Sequence, residues 1–232
     1  MNDNDLPPLG VVLVTYKRTN EALRTVLSTA EHLQYPRHLV KWYVADDGSS
    51  PEHHDTVLAA VQDSGFGLLG HHNERFREDA THNCGKGWNK GLGIAHQYSD
   101  YVLFLEDDWV MDAPLNAARY TRLLMDNPQV GIVTFRILST GATVHTVGWD
   151  GEVFLKYLRT TQYAYSGNPL IRHARYTKYY GWFAEDRNPG LIELHQDDLY
   201  RLDVHDGPDI WRPATLDQWG GWKHVGAEKM WK

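Results

Sequence analysis

The stretch Tyr101-Val-Leu-Phe-Leu-Glu106-Asp107-Asp108 decides the fold, because an unbroken apolar run is followed at once by three carboxylates. A continuous apolar run without alternation is typical of a strand buried on both faces, as in parallel sheets covered by helices. Ligands of such sheets bind beyond the carboxyl ends of the strands. We therefore expect the three carboxylates to lie at a binding edge.

Strand and helix patterns alternate around this stretch. Apolar runs predict strands over 10–15, 39–45, 66–70, 101–105 and 130–137. Helical spacing predicts helices over 20–33, 51–62, 85–97 and 114–125. This alternation predicts an α/β fold, with a mostly parallel sheet flanked by helices.

The pattern changes after about residue 138. The sequence there predicts a hairpin over 143–147 and 152–158, an aromatic loop over 163–188, a helix over 190–202 and an irregular tail from 203 onward. We therefore expect a single domain over 1–232. Its first half, about 9–136, would carry the parallel sheet, and its second half, about 137–232, would contain the hairpin, the late helix and the irregular segments.

Composition excludes several classes of protein. The chain has 232 residues, of which 42% are hydrophobic and 23% charged, so it can bury a sizeable core. The net charge of −7 disfavours bulk binding to nucleic acid, and the single cysteine excludes an intrachain disulfide. No apolar run approaches the roughly 20 residues of a membrane helix, and the acidic N-terminus is unlike a signal peptide. We expect a cytoplasmic protein.

Three polar clusters follow predicted strands, and a parallel sheet would bring them to one edge. They are residues 15–18 (Thr-Tyr-Lys-Arg), 46–49 (Asp-Asp-Gly-Ser) and 106–108 (Glu-Asp-Asp). Adjacent carboxylates repel each other, and a divalent cation such as Mg²⁺ or Mn²⁺ would compensate them. A solvated turn that caps the next segment is the alternative. The Asp-Asp-Gly-Ser turn could accept hydrogen bonds from a nucleobase or ribose, or be only a helix cap.

A glycine-rich stretch over 83–91 could lie close to a phosphate. Gly85 and Gly87 would allow close backbone approach, and Lys86 could neutralise charge. The stretch is not a P-loop, and no dinucleotide fingerprint follows the first strand. A loosely wound start of a helix is the other interpretation.

In order and spacing, these motifs resemble the signature of family 2 glycosyltransferases with the GT-A fold. The resemblance covers about 9–136 well and the remainder loosely. It implies a nucleotide-diphosphate sugar as donor, with a UDP-sugar expected, together with Mn²⁺ or Mg²⁺ and inversion at the anomeric carbon. It assigns nucleotide-sugar binding to Thr15, Tyr16, Arg18, Asp46, Asp47, Lys86, Asn89 and Asp107.

The resemblance also implies the metal ligands and a catalytic base. Asp108 would bind the metal directly, and His224 and Glu106 would complete the site, with Glu106 standing where the family usually has aspartate. The base must be a carboxylate near the acceptor hydroxyl. We favour Glu193 and then Asp197, which lie four residues apart and share a helix face, over Glu185, Asp186 and Asp198. A solvated acidic face is the alternative.

The acceptor side is basic and aromatic. Residues 153–184 contain no acid, five cations and six tyrosines. We expect Arg172, Arg175, Tyr179 and Trp182 to contact the acceptor. Such a patch could bind a polyanion, for example DNA with a hydroxymethylated base. A saccharide, a protein or a small molecule is the other kind of acceptor.

The sequence therefore predicts an inverting, metal-assisted glycosyltransferase. Two other functions stay open: a sugar-phosphate nucleotidyltransferase and an inactive nucleotide-sugar-binding protein. The histidine pairs 53–54 and 71–72 lack zinc-like partners, so we expect them at the surface.

Overall fold

The structure, a computed structural model, describes residues 5–74, 84–135, 142–167, 169–203, 207–215 and 220–226. Its strands are β1 (Leu9–Thr15), β2 (Val40–Asp46), β3 (Gly67–Asn73), β4 (Tyr101–Glu106), β5 (Trp109–Met111), β6 (Val130–Thr134), β7 (Val144–Trp149), β8 (Glu152–Tyr157), β9 (Leu170–His173), β10 (Asp209–Pro213) and β11 (Trp222–His224). Its helices are α1 (Thr19–His32), α2 (Pro51–Asp63), α3 (Cys84–Tyr98), α4 (Ala117–Asp126), α5 (Ala174–Tyr180) and α6 (Pro189–Leu202).

A large mixed sheet runs through both halves of the chain in the order β3-β2-β1-β4-β9-β6-β10-β8-β7. Strands β1 to β4 are parallel, and β10 is parallel to β6. Strand β9 is antiparallel to both of its neighbours, and β7 and β8 form an antiparallel hairpin. The prediction of a mostly parallel α/β sheet flanked by helices is confirmed.

Each face of the sheet carries its own apolar core, as two-sided burial of the strands requires. Val11 and Leu13 of β1 belong to one core, which includes apolar side chains of α1, α2 and α4. Val12 and Val14 belong to the other, with side chains of α3, α5 and α6. All seven residues of β1 are buried, which explains why its pattern is apolar without alternation.

The predicted elements of the first half are present with small shifts in their ends, and so are the hairpin and the late helix. Two expectations are wrong. The segment 163–188 is not only a loop, because it contains β9 and α5, and the tail after 203 contains β10 and β11. Strand β9 has only four residues, so its local pattern is weak, and its pairing with β4 on one side and β6 on the other determines it.

A small second sheet connects the end of the chain to the acidic triplet. Strand β5 follows the triplet directly and pairs antiparallel with β11, with His224 opposite Trp109. Among the helices in the described part of the chain, none combines the length and apolar character that crossing a bilayer requires.

Candidate active site

The three polar clusters meet at one edge of the sheet, as the sequence predicts. In the parallel register Thr15 lies opposite Asp46, and Val14 lies opposite Glu106. The loops after β1, β2 and β4 therefore open side by side. The backbone N–H of Lys17 donates to Ser49 Oγ at 2.9 Å, which ties the first loop to the second.

Asp107 is held by hydrogen bonds and an ion pair, most of them from the loop after β1. Its Oδ2 accepts from the Thr15 hydroxyl and from the Tyr16 backbone N–H, both at 2.9 Å, and its Oδ1 lies 3.4 Å from Arg18 Nη1. Thr25 of α1 donates to its backbone carbonyl at 2.9 Å. Burial raises the pKa of Asp107 to about 7 against the opposing effects of Arg18 and these donors. Asp107 is thus a fixed part of the loop scaffold.

Asp108 has a buried oxygen without a hydrogen-bond partner among the described residues. Its Oδ2 contacts Arg18 Nη1 and lies 3.2 Å from His224 Nε2. Its Oδ1 is buried and has no hydrogen-bond partner among the described residues. A Cβ at Gly226 would lie 2.5 Å from Asp108 Oδ2, so only glycine fits there. The backbone N–H of Val225 donates to the carbonyl of Asp108 at 2.8 Å, which fixes this approach.

The acidic cluster is only partly compensated by Arg18. Burial alone would lower the pKa of Arg18, but Asp107, Asp108 and Glu106 together raise it. Burial, followed by the charges of Asp108 and Glu193, raises the pKa of Glu106 well above its usual range. The raised pKa values of Glu106 and Asp107 favour their neutral forms, so Arg18 does not offset the combined effect of burial and neighbouring carboxylates on these two groups.

His53 is a site residue that sequence reasoning missed, because it was expected at the surface and is buried. Its Nε2 lies 2.9 Å from Thr15 Oγ1, and its Nδ1 lies 2.8 Å from Thr19 Oγ1. The single hydroxyl proton of Thr15 goes to Asp107, so His53 Nε2 must donate to Thr15 and Nδ1 must accept from Thr19. Burial lowers the pKa of His53, which favours this neutral form. The ring therefore orients Thr15 toward Asp107.

His54 was also expected at the surface, but it is buried and contacts Asp46. His54 Nδ1 lies 3.1 Å from Asp46 Oδ2, and its Nε2 lies 2.9 Å from Nδ1 of His71. Asp46 Oδ1 accepts from the Ser49 N–H at 2.9 Å, and Asp46 is fully buried. Both oxygens of Asp46 are thus engaged within the protein. The sequence offered one indication that His54 is buried, namely its position one turn after the predicted start of α2.

Residues of the glycine-rich stretch, which was expected to lie close to a phosphate, contact another segment of the chain. The Asn89 side chain donates to the Phe183 carbonyl at 2.9 Å and accepts from the Phe183 N–H at 2.9 Å. A Cβ at Gly85 would collide with the carbonyl oxygen of Ala184. Both residues therefore hold the segment around 183–185 against α3, while Lys86 is partly exposed.

Asp197 and Glu193, the two predicted bases, both accept hydrogen bonds from the segment 163–167. Asp197 accepts from the N–H groups of Tyr163 and Tyr165 through its two oxygens, at 3.0 and 3.2 Å. Glu193 Oε1 accepts from Ser166 Oγ at 3.1 Å and from the Gly167 N–H at 2.5 Å. Asp197 is buried and both its oxygens are taken. Glu193 Oε2 makes no hydrogen bond within the part of the chain that the structure describes.

Glu193 lies where the two halves of the chain meet. A Cβ placed on Gly167 would lie 3.1 Å from Glu193 Oε1 and 3.4 Å from Glu106 Oε1, so glycine allows these two carboxylates to approach each other. On its other side Glu193 faces an open cleft of about 420 Å³. The cleft is lined by Tyr163, Asn188, Gly190, Leu191, Glu193 and Leu194.

The two arginines that were expected to contact the acceptor make hydrogen bonds within the fold. Arg172 is fully buried and donates to Thr177 Oγ1 at 2.8 Å. Arg175 donates to the backbone carbonyls of Asn127 and Val130 at 3.1 and 3.2 Å. These side chains satisfy buried polar groups of the fold, since a buried cation must be paired or hydrogen-bonded.

The two expected aromatic contacts are half-exposed, but neither lines the cleft. The Tyr179 hydroxyl donates to Asp203 at 3.3 Å, and Trp182 accepts at its carbonyl from the Gln196 amide at 3.1 Å. Tyr163, Leu191 and Leu194, which do line the cleft, were not among the residues chosen from the sequence. Only the tertiary structure brings them together.

No protein-family model and no curated protein matches the chain, whereas several solved glycosyltransferase structures do. TarS of S. aureus in complex with UDP-GlcNAc matches with a TM-score of 0.63 at 14% identity, over 96% of this chain and 61% of that one. A mannosyltransferase from Pyrobaculum calidifontis, PcManGT with GDP-Man and Mn²⁺, matches with 0.60 at 15% identity, over 92% and 56%.

GalNAc-T7 in complex with UDP, GalNAc and Mn²⁺ matches with a TM-score of 0.58 at 12% identity, over 90% of this chain and 43% of that one. The chain thus spans less than two thirds of the length of each of these three solved chains. At these identities the likeness concerns the fold, which is of the GT-A type in all three and in this chain.

Proposed function

We propose that the chain is a metal-assisted glycosyltransferase, which moves a sugar from a nucleotide-diphosphate sugar to an acceptor hydroxyl. The observation that carries this proposal is the approach of two chemically different sites across Gly167. On one side is Glu106 of the acidic triplet, whose Asp108 lies beside His224, and on the other is Glu193, whose Oε2 makes no hydrogen bond to the described residues. A leaving-group site next to a base is the arrangement that displacement at a sugar carbon needs.

The donor set suits a hard divalent cation. Asp108 offers the buried Oδ1 that lacks a partner, and His224 Nε2 lies beside the same carboxylate. No group of three or more candidate ligands is assembled within the described residues, so the remaining ligands would come from the donor diphosphate. Mg²⁺ and Mn²⁺ commonly bind through one or two protein groups plus substrate phosphates. When bound, such an ion supplies charge neutralisation for the departing diphosphate.

The nucleoside would lie along the loops after β1 and β2. Both carboxylate oxygens of Asp46 already contact Ser49 and His54, so we assign the ribose or base contact to Asp47 instead. Arg18, held beside Asp107 and Asp108, would contact the diphosphate. Two of the three glycosyltransferases described above have UDP or a UDP-sugar bound, which supports UDP as the nucleotide here.

Glu193 would act as the base in a single displacement with inversion. As the acceptor oxygen attacks the anomeric carbon, its proton passes to Glu193 Oε2. The new bond joins the acceptor oxygen to that carbon, while the bond to the diphosphate breaks and the diphosphate leaves with the electron pair. Ser166 and Gly167 hold Oε1, which keeps the carboxylate in place during the transfer.

A binding panel tests this proposal. Thermal unfolding is followed with UDP, GDP, CDP and dTDP, each with and without Mn²⁺, for the wild type and for Asp108→Asn. A ligand that binds the folded state raises the unfolding temperature by mass action. We expect one diphosphate to give a shift that Mn²⁺ enlarges and that Asp108→Asn removes. If no diphosphate shifts the transition, the proposal is wrong.

A further inference from the structure

The cleft beside Glu193 has an apolar wall that the fold leaves open to solvent. The exposed fraction is 60% for Tyr163, 46% for Leu191 and 39% for Leu194. These side chains line the same cleft of about 420 Å³ as Glu193. Large apolar groups that are left uncovered together in one cleft are typical of a binding surface.

The apolar wall is held in place before any ligand arrives. Tyr163 has a φ of 58°, which is a strained backbone for a bulky residue. Its N–H donates to Asp197 Oδ2 at 3.0 Å, and Asp197 also accepts from Tyr165. These bonds to a buried carboxylate offset the strain and hold Tyr163 at the mouth of the cleft. Asp197 is therefore a positioning residue for this wall.

The charges around the cleft oppose a polyanionic ligand. Glu193 is acidic, and none of the described lining residues is cationic. Four cations of the second half are engaged elsewhere: Lys156 pairs with Asp209 at 2.6 Å, Arg159 lies 3.5 Å from the same carboxylate, and Arg172 and Arg175 are bound within the fold as described above. A phosphate in the cleft would thus meet the Glu193 carboxylate and no cation among the described lining residues.

We infer that this cleft binds the acceptor, and that the acceptor is an uncharged hydroxyl compound with an apolar face, such as a pyranose ring or an aromatic aglycone. The inference rests on the proposed function, since it assigns the substrate class of the same site. A pyranose ring presents C–H groups on one face, which pack against an aromatic or aliphatic surface, while its hydroxyls reach a carboxylate. This assignment disfavours DNA as the acceptor.

The test compares acceptors of matched shape and different charge. With the protein saturated with the nucleotide diphosphate and Mn²⁺ found above, binding is measured by calorimetry for p-nitrophenyl β-glucoside, for its 6-phosphate and for a DNA duplex containing 5-hydroxymethylcytosine. We expect the neutral glucoside to bind at least about tenfold more tightly than its 6-phosphate. Tighter binding of the phosphate or the duplex, or no binding of the neutral probe, overturns the inference.

Two variants of α6 locate the binding. Leu194→Asp places a second carboxylate on the cleft wall, and we expect it to weaken glucoside binding by at least about tenfold. Leu202→Asp adds the same charge to the same helix at a residue that is 77% exposed and does not line the cleft, and we expect no change. Equal behaviour of the two variants would overturn the inference.

The nucleotide-dependent shift in unfolding temperature, measured on the same samples, distinguishes failure of the acceptor assignment from failure of the proposed function. If the nucleotide shifts the unfolding temperature but the neutral glucoside is not the tightest-binding probe, only the acceptor assignment fails. If the shift itself is absent, the proposed function fails.

Discussion

The two halves of the candidate site are built in opposite ways. On the donor side, which comprises the loops after β1, β2 and β4, both carboxylate oxygens of Asp46 and of Asp107 are bound by neighbouring residues. On the acceptor side, which comprises the 163–167 segment and α6, carboxylates clamp the backbone while apolar side chains stay exposed. Hydrogen bonds between side chains therefore dominate the donor side, whereas exposed apolar side chains dominate the acceptor side.

This difference agrees with what each side would bind under the proposed function. A diphosphate and a cation carry concentrated charge, which needs donors and ligands fixed at defined distances. An uncharged ring has weak directional demands and is bound mainly by shape and apolar contact. The donor side should therefore be sensitive to the loss of single hydrogen bonds, and the acceptor side to changes of charge.

The largest expected effect concerns Glu193. Glu193→Gln keeps an oxygen for Ser166 and Gly167 but removes the base, so we expect the transfer rate to fall by about 10²- to 10⁴-fold. Nucleotide binding in the thermal-shift panel should not change. As a matched variant, Asp197→Asn should lower stability because its amide cannot accept from both Tyr163 and Tyr165. A Glu193→Gln enzyme with full transfer activity would refute the assignment of the base.

The next effect is a loss of stability in acid. Burial, followed by the charge of Lys90, lowers the pKa of His72 to about 4, whereas an unfolded histidine has a pKa near 6.5. Between these values the unfolded state binds more protons. The free energy of unfolding should therefore fall as the pH drops from 6.5 to 4, by up to about 3 kcal/mol for this group.

Denaturant unfolding of the wild type and His72→Gln across this pH range measures that loss. Burial also lowers the pKa of His173 to about 4, so we expect the slope to become shallower in His72→Gln rather than to vanish. His38→Gln, at an exposed position, should keep the full slope. An unchanged slope in His72→Gln would contradict the prediction.

His53 tests the donor-side hydrogen bonds at a residue that was not itself expected to bind the donor. His53→Ala removes the contacts to Thr15 and Thr19 and leaves both hydroxyls with one partner fewer, so we expect a loss of about 2 kcal/mol in the free energy of unfolding. The affinity for the nucleotide should also fall, since Thr15 orients Asp107. His38→Ala is the surface control and should stay within about 0.5 kcal/mol of the wild type. If the two variants are equally stable, the network does not depend on His53.

The smallest effect compares two glycines. Gly226→Ala forces its Cβ against Asp108, whereas a Cβ on Gly190, at the cleft, has no neighbour closer than 3.6 Å. We expect Gly226→Ala to weaken Mn²⁺-dependent nucleotide binding by about tenfold, because overpacking commonly costs 1 kcal/mol or more. Gly190→Ala should bind the nucleotide as the wild type does. Equal affinities would show that Asp108 can shift without loss.

The sequence predicted correctly those features in which polar clusters directly follow buried strands. Buried parallel strands have continuous apolar runs, and polar clusters directly after them must share an edge, so Thr15, Asp46 and Asp107 could be brought together from the pattern alone. The link of His224 to Asp108 followed from the resemblance, and the pairing of β5 with β11 produces it. The roles of these residues toward a donor remain predictions.

Prediction failed where a residue's role depends on its distant neighbours. Arg172 was expected at a basic surface, but β9 lies between two strands and buries it. His53 was expected to be solvated, but the end of β1 lies against it and Thr15 contacts its ring. Charge and residue type do not reveal burial when the burying partner is tens of residues away.

The sequence by itself determined the α/β alternation, the acidic edge and the helix that carries Glu193, because each depends on local periodicity or on residues adjacent in the chain. Only the tertiary structure decided which carboxylate keeps a free oxygen and which is bound to backbone, as for Glu193 and Asp197. It also decided that the acceptor side presents Tyr163 and Leu194 rather than cations. The physical reason is that hydrogen-bond satisfaction and burial belong to contacts between distant segments, which no local pattern contains.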